Sequence, residues 1–345
     1  MKVLITGGAG YIGSHTIIEL LKQGYEDIVS LDNYSNSDSS TYDRIEAISG
    51  NLINYVNIDL LDFESLKRFF KENKIETIIH FAALKSVPES VSNPNLYYQN
   101  NLNSLLNLLD CCTIFQVNNF IFSSSCSVYG NPESLPVTEN TPFGKAESPY
   151  AHTKQIGEEI LNSYSKSNPH FKHLSLRYFN PAGADESFLI GEKITERPNN
   201  LIPIFTQTAA GIRESFTVFG KDYDTIDGSC IRDYIHVSDI AEAHVRAIEY
   251  LNTNSVYKKV INLGTGVGST VLEMIEAFEY TNNLKLNYVI GNRREGDVES
   301  IFANNQLAEE ELNWVPKRKL PDIMKSAWEW QKRIASSDDI SLLSK

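Results

Sequence analysis

An α/β fold, a doubly wound parallel sheet with a smaller interleaved C-terminal domain, is predicted by three features of this chain. In the first half, short apolar runs alternate with amphipathic segments, the pattern of parallel strands joined by crossover helices. The first apolar run feeds a glycine-rich turn and then a helical pattern. Beyond about residue 180, prolines and loops shorten the elements, which marks a second unit.

Lys2–Thr6 reads as a short buried strand, and Gly7-Gly8-Ala9-Gly10-Tyr11-Ile12-Gly13 follows it as a G-x-x-G-x-x-G turn. Ile12, Ile17, Leu20 and Leu21 then mark a helix that Gly24 can stop. Gly7, Gly10 and Gly13 allow a sharp turn and close backbone approach to a pyrophosphate. The free N–H groups and dipole of a helix N-terminus favour that anion. A second strand, Ile28–Leu31, ends in Asp32, nineteen residues after Gly13. An acid there suits the ribose 2′-hydroxyl of NAD and repels the extra phosphate of NADP.

A polar loop is expected at 33–41, and Tyr55–Asp59 reads as the third strand. Phe63–Lys71 reads as a helix, Thr77–Phe81 as a strand and Asn95–Phe115 as a long helix. Leu102, Leu105, Leu106 and Leu109 share one face of that helix, which is core or a dimer surface. Asn119–Ser123 is the next strand and delivers Ser124 and Ser125 at its carboxyl end, where this architecture places ligands. Tyr150–Lys166 is the following helix and His173–Tyr178 another strand.

Tyr150-Ala151-His152-Thr153-Lys154 places a phenol and an ammonium on one helical face, and Ser125 lies twenty-five residues before the tyrosine. A phenol with a pKa of about 10 is a poor base at neutral pH. A neighbouring cation favours phenolate, and a serine hydroxyl can hydrogen-bond the same oxygen. The trio can take a proton from a substrate hydroxyl while a hydride acceptor waits across the carbon. A Tyr-x-x-x-Lys pair alone is common; the cofactor turn and the serine give this one its weight.

The expected units are 1–179 for NAD binding, 180–335 for substrate, and a polar tail at 336–345. The chain crosses back at 233–265, where Val237-Ser238-Asp239 opens a capped helix through Leu251 and Val260–Gly264 returns as a strand. The 345 residues are 41% hydrophobic and 22% charged, ordinary for a globular enzyme. A net charge of -13 argues against nucleic acid or an anionic membrane as partner. No apolar run approaches the ~20 residues of a membrane span, and no charged-then-apolar leader opens the chain. A cytoplasmic protein is expected, with Cys111, Cys112, Cys126 and Cys230 as free thiols and no metal-site spacing. His80 and His236 lie in strand patterns and read as structural.

Several stretches carry a resemblance. They are TGGAGYIGSHT at 6–16, HFAALK at 80–85, Ser123-Ser124-Ser125, Ser148-Pro149-Tyr150, RYFNP at 177–181, Asp227-Gly228, RDYIHV at 232–237 and RREGD at 293–297. Together they resemble the extended short-chain dehydrogenase/reductase family, and within it the UDP-glucose 4-epimerase branch, over nearly the whole chain. The resemblance implies a Rossmann-type sheet, NAD as cofactor, UDP-glucose and UDP-galactose as substrates, and a homodimer paired through the long helices. It places Gly7, Gly10, Tyr11, Ile12 and Gly13 at the pyrophosphate, and Asp32, Asn33, Asn36 and Ser37 at the adenosine ribose. Asp59 and Leu60 would meet the adenine, and Phe81, Ala82, Lys85, Asn100 and Phe179 the rest of the cofactor. Asn180, Asn200, Leu201, Arg232, Tyr234, Arg294 and Asp297 would meet the UDP-sugar, with Phe219 and Tyr234 near the uracil. Arg232 and Arg294 are planar cations suited to a diphosphate, although most arginines are solvated surface charges.

The implied reaction oxidises C4 to a ketone, turns the sugar over and returns the hydride. Tyr150 would act as base, Ser125 would hold the oxygen, and Lys154 would bind the nicotinamide ribose and, with the positive charge of oxidised NAD, depress the Tyr150 pKa. A 4,6-dehydratase needs an acid/base pair beside the serine, and a decarboxylase a glutamate; Ser124-Ser125-Cys126-Ser127 contains no carboxylate. Other UDP-sugar epimerases and a silent NAD-sensing regulator remain as alternatives. The bacterial form of the branch often has Tyr four residues after the last Asp of RREGD; here Ile301 stands there. Either it widens the sugar pocket enough for a 2-acetamido group, or it is plain packing.

Overall fold

In the computed structural model, the described residues are 1–345 except 194–197, 199, 255–257, 295–296 and 337–345. Arg197 and Asn199 of the second-unit loop, Glu295 and Gly296 of RREGD, and the tail past Ser336 therefore lie outside the described residues.

The first half alternates as the pattern requires: β1 (Val3–Thr6), α1 (Tyr11–Lys22), β2 (Ile28–Asp32), α2 (Ser40–Ser49), β3 (Asn54–Asn57), α3 (Phe63–Glu72), β4 (Thr77–His80), α4 (Val87–Ser92), α5 (Pro94–Phe115), β5 (Asn119–Ser125), α6 (Pro149–Ser167) and β6 (Lys172–Tyr178). Side-chain caps start several helices. Asp62 accepts from Ser65 N (3.1 Å) before α3, and Ser148 from Ala151 N (3.2 Å) before α6. The expected loop at 33–41 gives way to α2 at Ser40. Only Thr41, Tyr42 and Ile45 of α2 are buried, so its apolar stripe is thin.

The second half holds β7 (Asn180–Ala182), α7 (Leu201–Ala209), β8 (Phe216–Phe219), β9 (Ile231–Arg232), β10 (Tyr234–His236), α8 (Val237–Thr253), β11 (Lys258–Leu263), β12 (Ser269–Thr270), α9 (Val271–Asn282), β13 (Tyr288–Gly291), β14 (Ser300–Ile301), α10 (Gln306–Leu312) and α11 (Leu320–Ala335). The main sheet has seven strands in the order β11-β6-β5-β4-β1-β2-β3, every neighbouring pair parallel. This is the doubly wound, Rossmann-type sheet expected above. The chain reverses direction across the sheet between β1 and β4, and the carboxyl ends there form the crevice in which this architecture binds ligands.

β1, β2 and β4 are buried along their whole length, covered by helices on both faces. Val3, Ile5, Ile17 and Ile248 belong to one core; Leu4, Ile78, Leu105 and Phe120 belong to the other. Each such side chain contributes about 1.5–3 kcal/mol by leaving water. A separate core of Ile202, Phe205, Met274, Phe278, Ile323 and Met324 joins α7, α9 and α11. Three short sheets lie apart from the main one: β10-β7, β12-β9-β14 and β13-β8. The leucine stripe on α5 divides. Leu105 and Leu109 enter the core, Leu102 is half-buried and Leu106 faces out. Among the described residues, no helix is long and apolar enough to cross a membrane.

Candidate active site

The β1–α1 corner is shaped for close contact between a ligand and backbone. Gly7 has φ +73°, and a side chain there would meet Ala82 N at 2.7 Å; one at Gly13 would meet Gly7 O at 2.3 Å. Gly10 caps α1 without a side-chain bond, and the first turn, with Tyr11, Ile12 and Gly13, carries no acid. That end of the helix suits an anion. The Asp32 carboxylate sits beside the turn and accepts from Ala9 N (3.0 Å), Tyr34 N (2.9 Å) and Ser37 Oγ (2.8 Å). Asn33 Nδ2 donates to Asp59 Oδ2 (3.0 Å), which brings β2 and β3 ends together, and Asn36 is exposed nearby in sequence. Leu60 buries its side chain in the core, and its carbonyl accepts from Asn107 Nδ2 (2.8 Å).

After β4, the Phe81 ring lies 4.7 Å from the His244 ring, and Ala82 is half-buried opposite Gly7. Asn100 Nδ2 donates to Asn101 Oδ1 (3.0 Å), which also accepts from Leu84 N (2.9 Å). Lys85 Nζ bonds Glu192 Oε1 (2.9 Å). Glycine turn, helix end, carboxylate and the loop after β4 line one crevice, and their donor set fits a dinucleotide.

Tyr150 and Lys154 lie on neighbouring turns of one helix, close to the carboxyl end of β5 that carries Ser125. Ser148 and Pro149 set the start of α6, so Tyr150 stands in its first turn and Lys154 one turn later. Ser125 ends β5, in register with Tyr178 of β6, and accepts from Ser127 N (3.2 Å). Its side chain lowers the Tyr150 phenol pKa, against the effect of burial. Lys154, 5% exposed, donates to Ser123 O (2.6 Å), and its Nζ lies 5.8 Å from the Tyr150 ring centre.

Lys154 and oxidised NAD together are expected to favour Tyr150 phenolate; in the chain alone the phenol is pushed up, to about 12. Burial is the main cause; the Ser125 bond opposes it and Cys126 adds to it. Burial also lowers Lys154 to about 8, with Glu158 pulling the other way. Desolvation is the largest influence on both groups in the chain alone.

On the far side, Asn180 lies in β7, in register with Tyr234 of β10. Asn180 Oδ1 and Ser127 Oγ are buried with no hydrogen-bond partner among the described residues, so both are available to a ligand. Arg232 in β9 acts electrostatically on Cys126, the residue after Ser125, and its Nη1 donates to Ile231 O (2.8 Å). Asn200, before Leu201 at the start of α7, donates to Glu192 Oε1 (2.6 Å). Arg294 pairs with Asp297 (2.7 Å) and lies 5.3 Å from the Phe219 ring centre. Ile301, 4% exposed, packs in a cluster with Phe179, Val128 and Tyr129.

His80 and His236 are held structurally. His80 Nδ1 bonds Thr6 Oγ1 (2.8 Å), and His236 caps α8 by accepting from Ser238 N (3.1 Å). Two residues escaped the sequence reading. Glu192 ties Lys85 to Asn200. Buried Asp233 accepts from Thr265 N and Oγ1, Gly266 N and Ala303 N, fixing the backbone between Arg232 and Tyr234. Both join segments far apart in sequence, and no local spacing announces them. Among the described residues, no group of three His, Cys, Asp or Glu side chains is placed to hold a metal ion.

Comparison with known proteins places this arrangement. A family model described as the NAD dependent epimerase/dehydratase family matches residues 3–264. The UDP-glucose 4-epimerase of Erwinia amylovora is 45% identical over 338 residues, covering 98% of this chain and 100% of that protein. The structure of UDP-glucose-4-epimerase from Stenotrophomonas maltophila, with bound NAD and formylated UDP-arabinopyranose, superposes with TM-score 0.94 at 41% identity. It covers 97% of this chain and 99% of that one. The Bifidobacterium longum UDP-glucose 4-epimerase, in complex with NAD+ and UDP, gives 0.93 at 43% identity, covering 96% and 98%.

Proposed function

The chain belongs to the NAD dependent epimerase/dehydratase family, and from that premise we propose that it is an NAD-using UDP-glucose 4-epimerase. It interconverts UDP-glucose and UDP-galactose reversibly. The observation that carries this reading is the Ser125–Tyr150–Lys154 cluster at the carboxyl end of β5, beside the nucleotide crevice, with no carboxylate in the Ser124–Ser127 stretch to drive elimination.

Gly7, Gly10, Tyr11, Ile12, Gly13 and Asp32 would hold NAD, which when bound would supply a reversible hydride acceptor at C4 and a positive charge. Tyr150 takes the proton of the sugar 4′-hydroxyl, helped by the positive end of α6. Ser125 holds the oxygen as it becomes a carbonyl, and Lys154 keeps a cation beside the phenolate. Asn180, Asn200, Leu201, Arg232 and Arg294 hold the uridine diphosphate while the keto sugar turns its other face. Phe219, Tyr234 and Asp297 shape the nucleotide end. Tyr150 then returns its proton, and the C4 epimer leaves. Residues 1–179 serve the cofactor and 180–335 mainly the substrate, with 233–265 crossing back.

Incubating the NAD-loaded protein with UDP-galactose tests this reading. UDP-glucose should form with no net NADH; stoichiometric NADH or a dehydrated product would exclude it. UDP-N-acetylgalactosamine and a UDP-pentose, run alongside, define the sugar range. In this reading Ile301, smaller than a tyrosine, leaves room for a 2-acetamido group, a discrimination worth ~1–3 kcal/mol; its burial in an apolar cluster also fits plain packing. Turnover of UDP-galactose with none of the acetamido sugar refutes the wider pocket.

The enzyme works as a cytoplasmic homodimer in this reading. Leu106 and Leu96 are exposed on α5, half-buried Leu102 lies beside them, and α6 packs along that helix. Pairing of α5 and α6 about a two-fold axis covers this apolar strip. Sedimentation equilibrium at twice the chain mass supports the dimer; a monomer at micromolar concentration excludes it. The four free cysteines suit a reducing compartment.

A further inference from the structure

We infer that Glu158 is a positioning residue: its carboxylate fixes the serine-bearing end of β5 against the helix of Tyr150 and Lys154, and stands as counter-charge to Lys154. The inference rests on the epimerase reading for its kinetic consequence, but not for its geometry. Glu158 is 1% exposed. Its Oε1 accepts from Ser124 Oγ (2.5 Å) and Arg177 Nε (2.9 Å), and its Oε2 from Arg177 Nη2 (2.7 Å). Ser124 and Arg177 are register partners on β5 and β6. One buried carboxylate therefore joins α6 to two strands, beside Ser123, which holds Lys154, and Ser125, which acts on the Tyr150 phenol.

Tyr150, Lys154 and Glu158 follow at four-residue spacing on one face of α6. Base, cation and anchor thus occupy successive turns. Lys154 faces Tyr150 and Glu158 on its own helix, Phe122 and Ser123 on β5, and His80 on β4. Burial holds His80 neutral at neutral pH, so it supplies no charge. Among the described residues, Glu158 is the one carboxylate acting on Lys154. A purely structural alternative exists, in which Glu158 merely neutralises buried Arg177.

Two NAD-loaded variants separate these roles: Glu158→Gln, and Glu158→Gln with Arg177→Gln. The double variant removes both charges and leaves no unpaired ion, so it decides the matter where the single variant fails to fold. The Lys154 titration is followed by NMR of side-chain-labelled lysine, assigned with Lys154→Met. Its midpoint is expected to fall by about 1 pH unit in the single variant, and less far in the double. The alkaline limb of kcat should move the same way, with kcat down about tenfold and KM little changed. A Lys154 midpoint and kcat unchanged in the folded double variant overturn the inference. A wild type that epimerises nothing overturns the activity reading instead, while the Lys154 midpoint still decides this one.

Discussion

Tyr150→Phe is expected to cut epimerase turnover by on the order of 10²–10⁴-fold, the usual worth of one positioned acid/base group. The ring stays, so packing against Lys154 survives and the melting temperature should hold within a few degrees. KM for UDP-galactose should change little, because the lost hydroxyl acts on the 4′-oxygen rather than on the nucleotide. The pH profile of the wild type adds a second reading. The chain alone keeps the phenol neutral, near 12, and Lys154 near 8. Activity should rise with pH as the phenol ionises beside the bound cation, then fall as Lys154 loses its proton. A folded Tyr150→Phe protein with full turnover would sink the mechanism.

The residues legible in the sequence were those whose geometry is local. Four-residue spacing puts Tyr150 and Lys154 on one helical face, and a strand–turn–helix–acid order puts Gly7 and Asp32 at one crevice. The seven-stranded sheet was readable for the same reason: its strands are short buried runs between amphipathic helices. What hid was non-local or weakly patterned. β9, β12 and β14 are two residues each, too short to show a period of two. β3, exposed at every position, was still legible from Tyr55 and Val56, although it ends at Asn57 rather than Asp59. Asp233 and Glu192 bind segments that only the fold brings near. Spacing shows a cation beside Tyr150 but says nothing of the burial that raises its pKa in the chain alone.

That same loss of water makes the fold sensitive to acid. Five of the seven histidines, His15, His80, His173, His236 and His244, are buried. Burial lowers them to about 4, 3, 4, 3 and 4 respectively. A histidine whose folded value lies below its unfolded one stabilises the protein above the unfolded value, near 6.5, and loses that contribution as pH falls. At pH 5.5 each costs about 1.4 kcal/mol, and the five together about 7 kcal/mol. Half-buried Glu139 and buried Asp233 and Asp239 are shifted upward by burial and oppose this. The apparent melting temperature should therefore drop by on the order of 10 °C between pH 7.5 and 5.5 at constant ionic strength. His173 provides the control, since neither ring nitrogen has a hydrogen-bond partner among the described residues. His173→Phe removes one buried titrating group without orphaning a partner, so its melting temperature should fall less steeply with acid than the wild type's. A melting temperature flat from pH 7.5 to 5.5 would show that these imidazoles reach protons without unfolding.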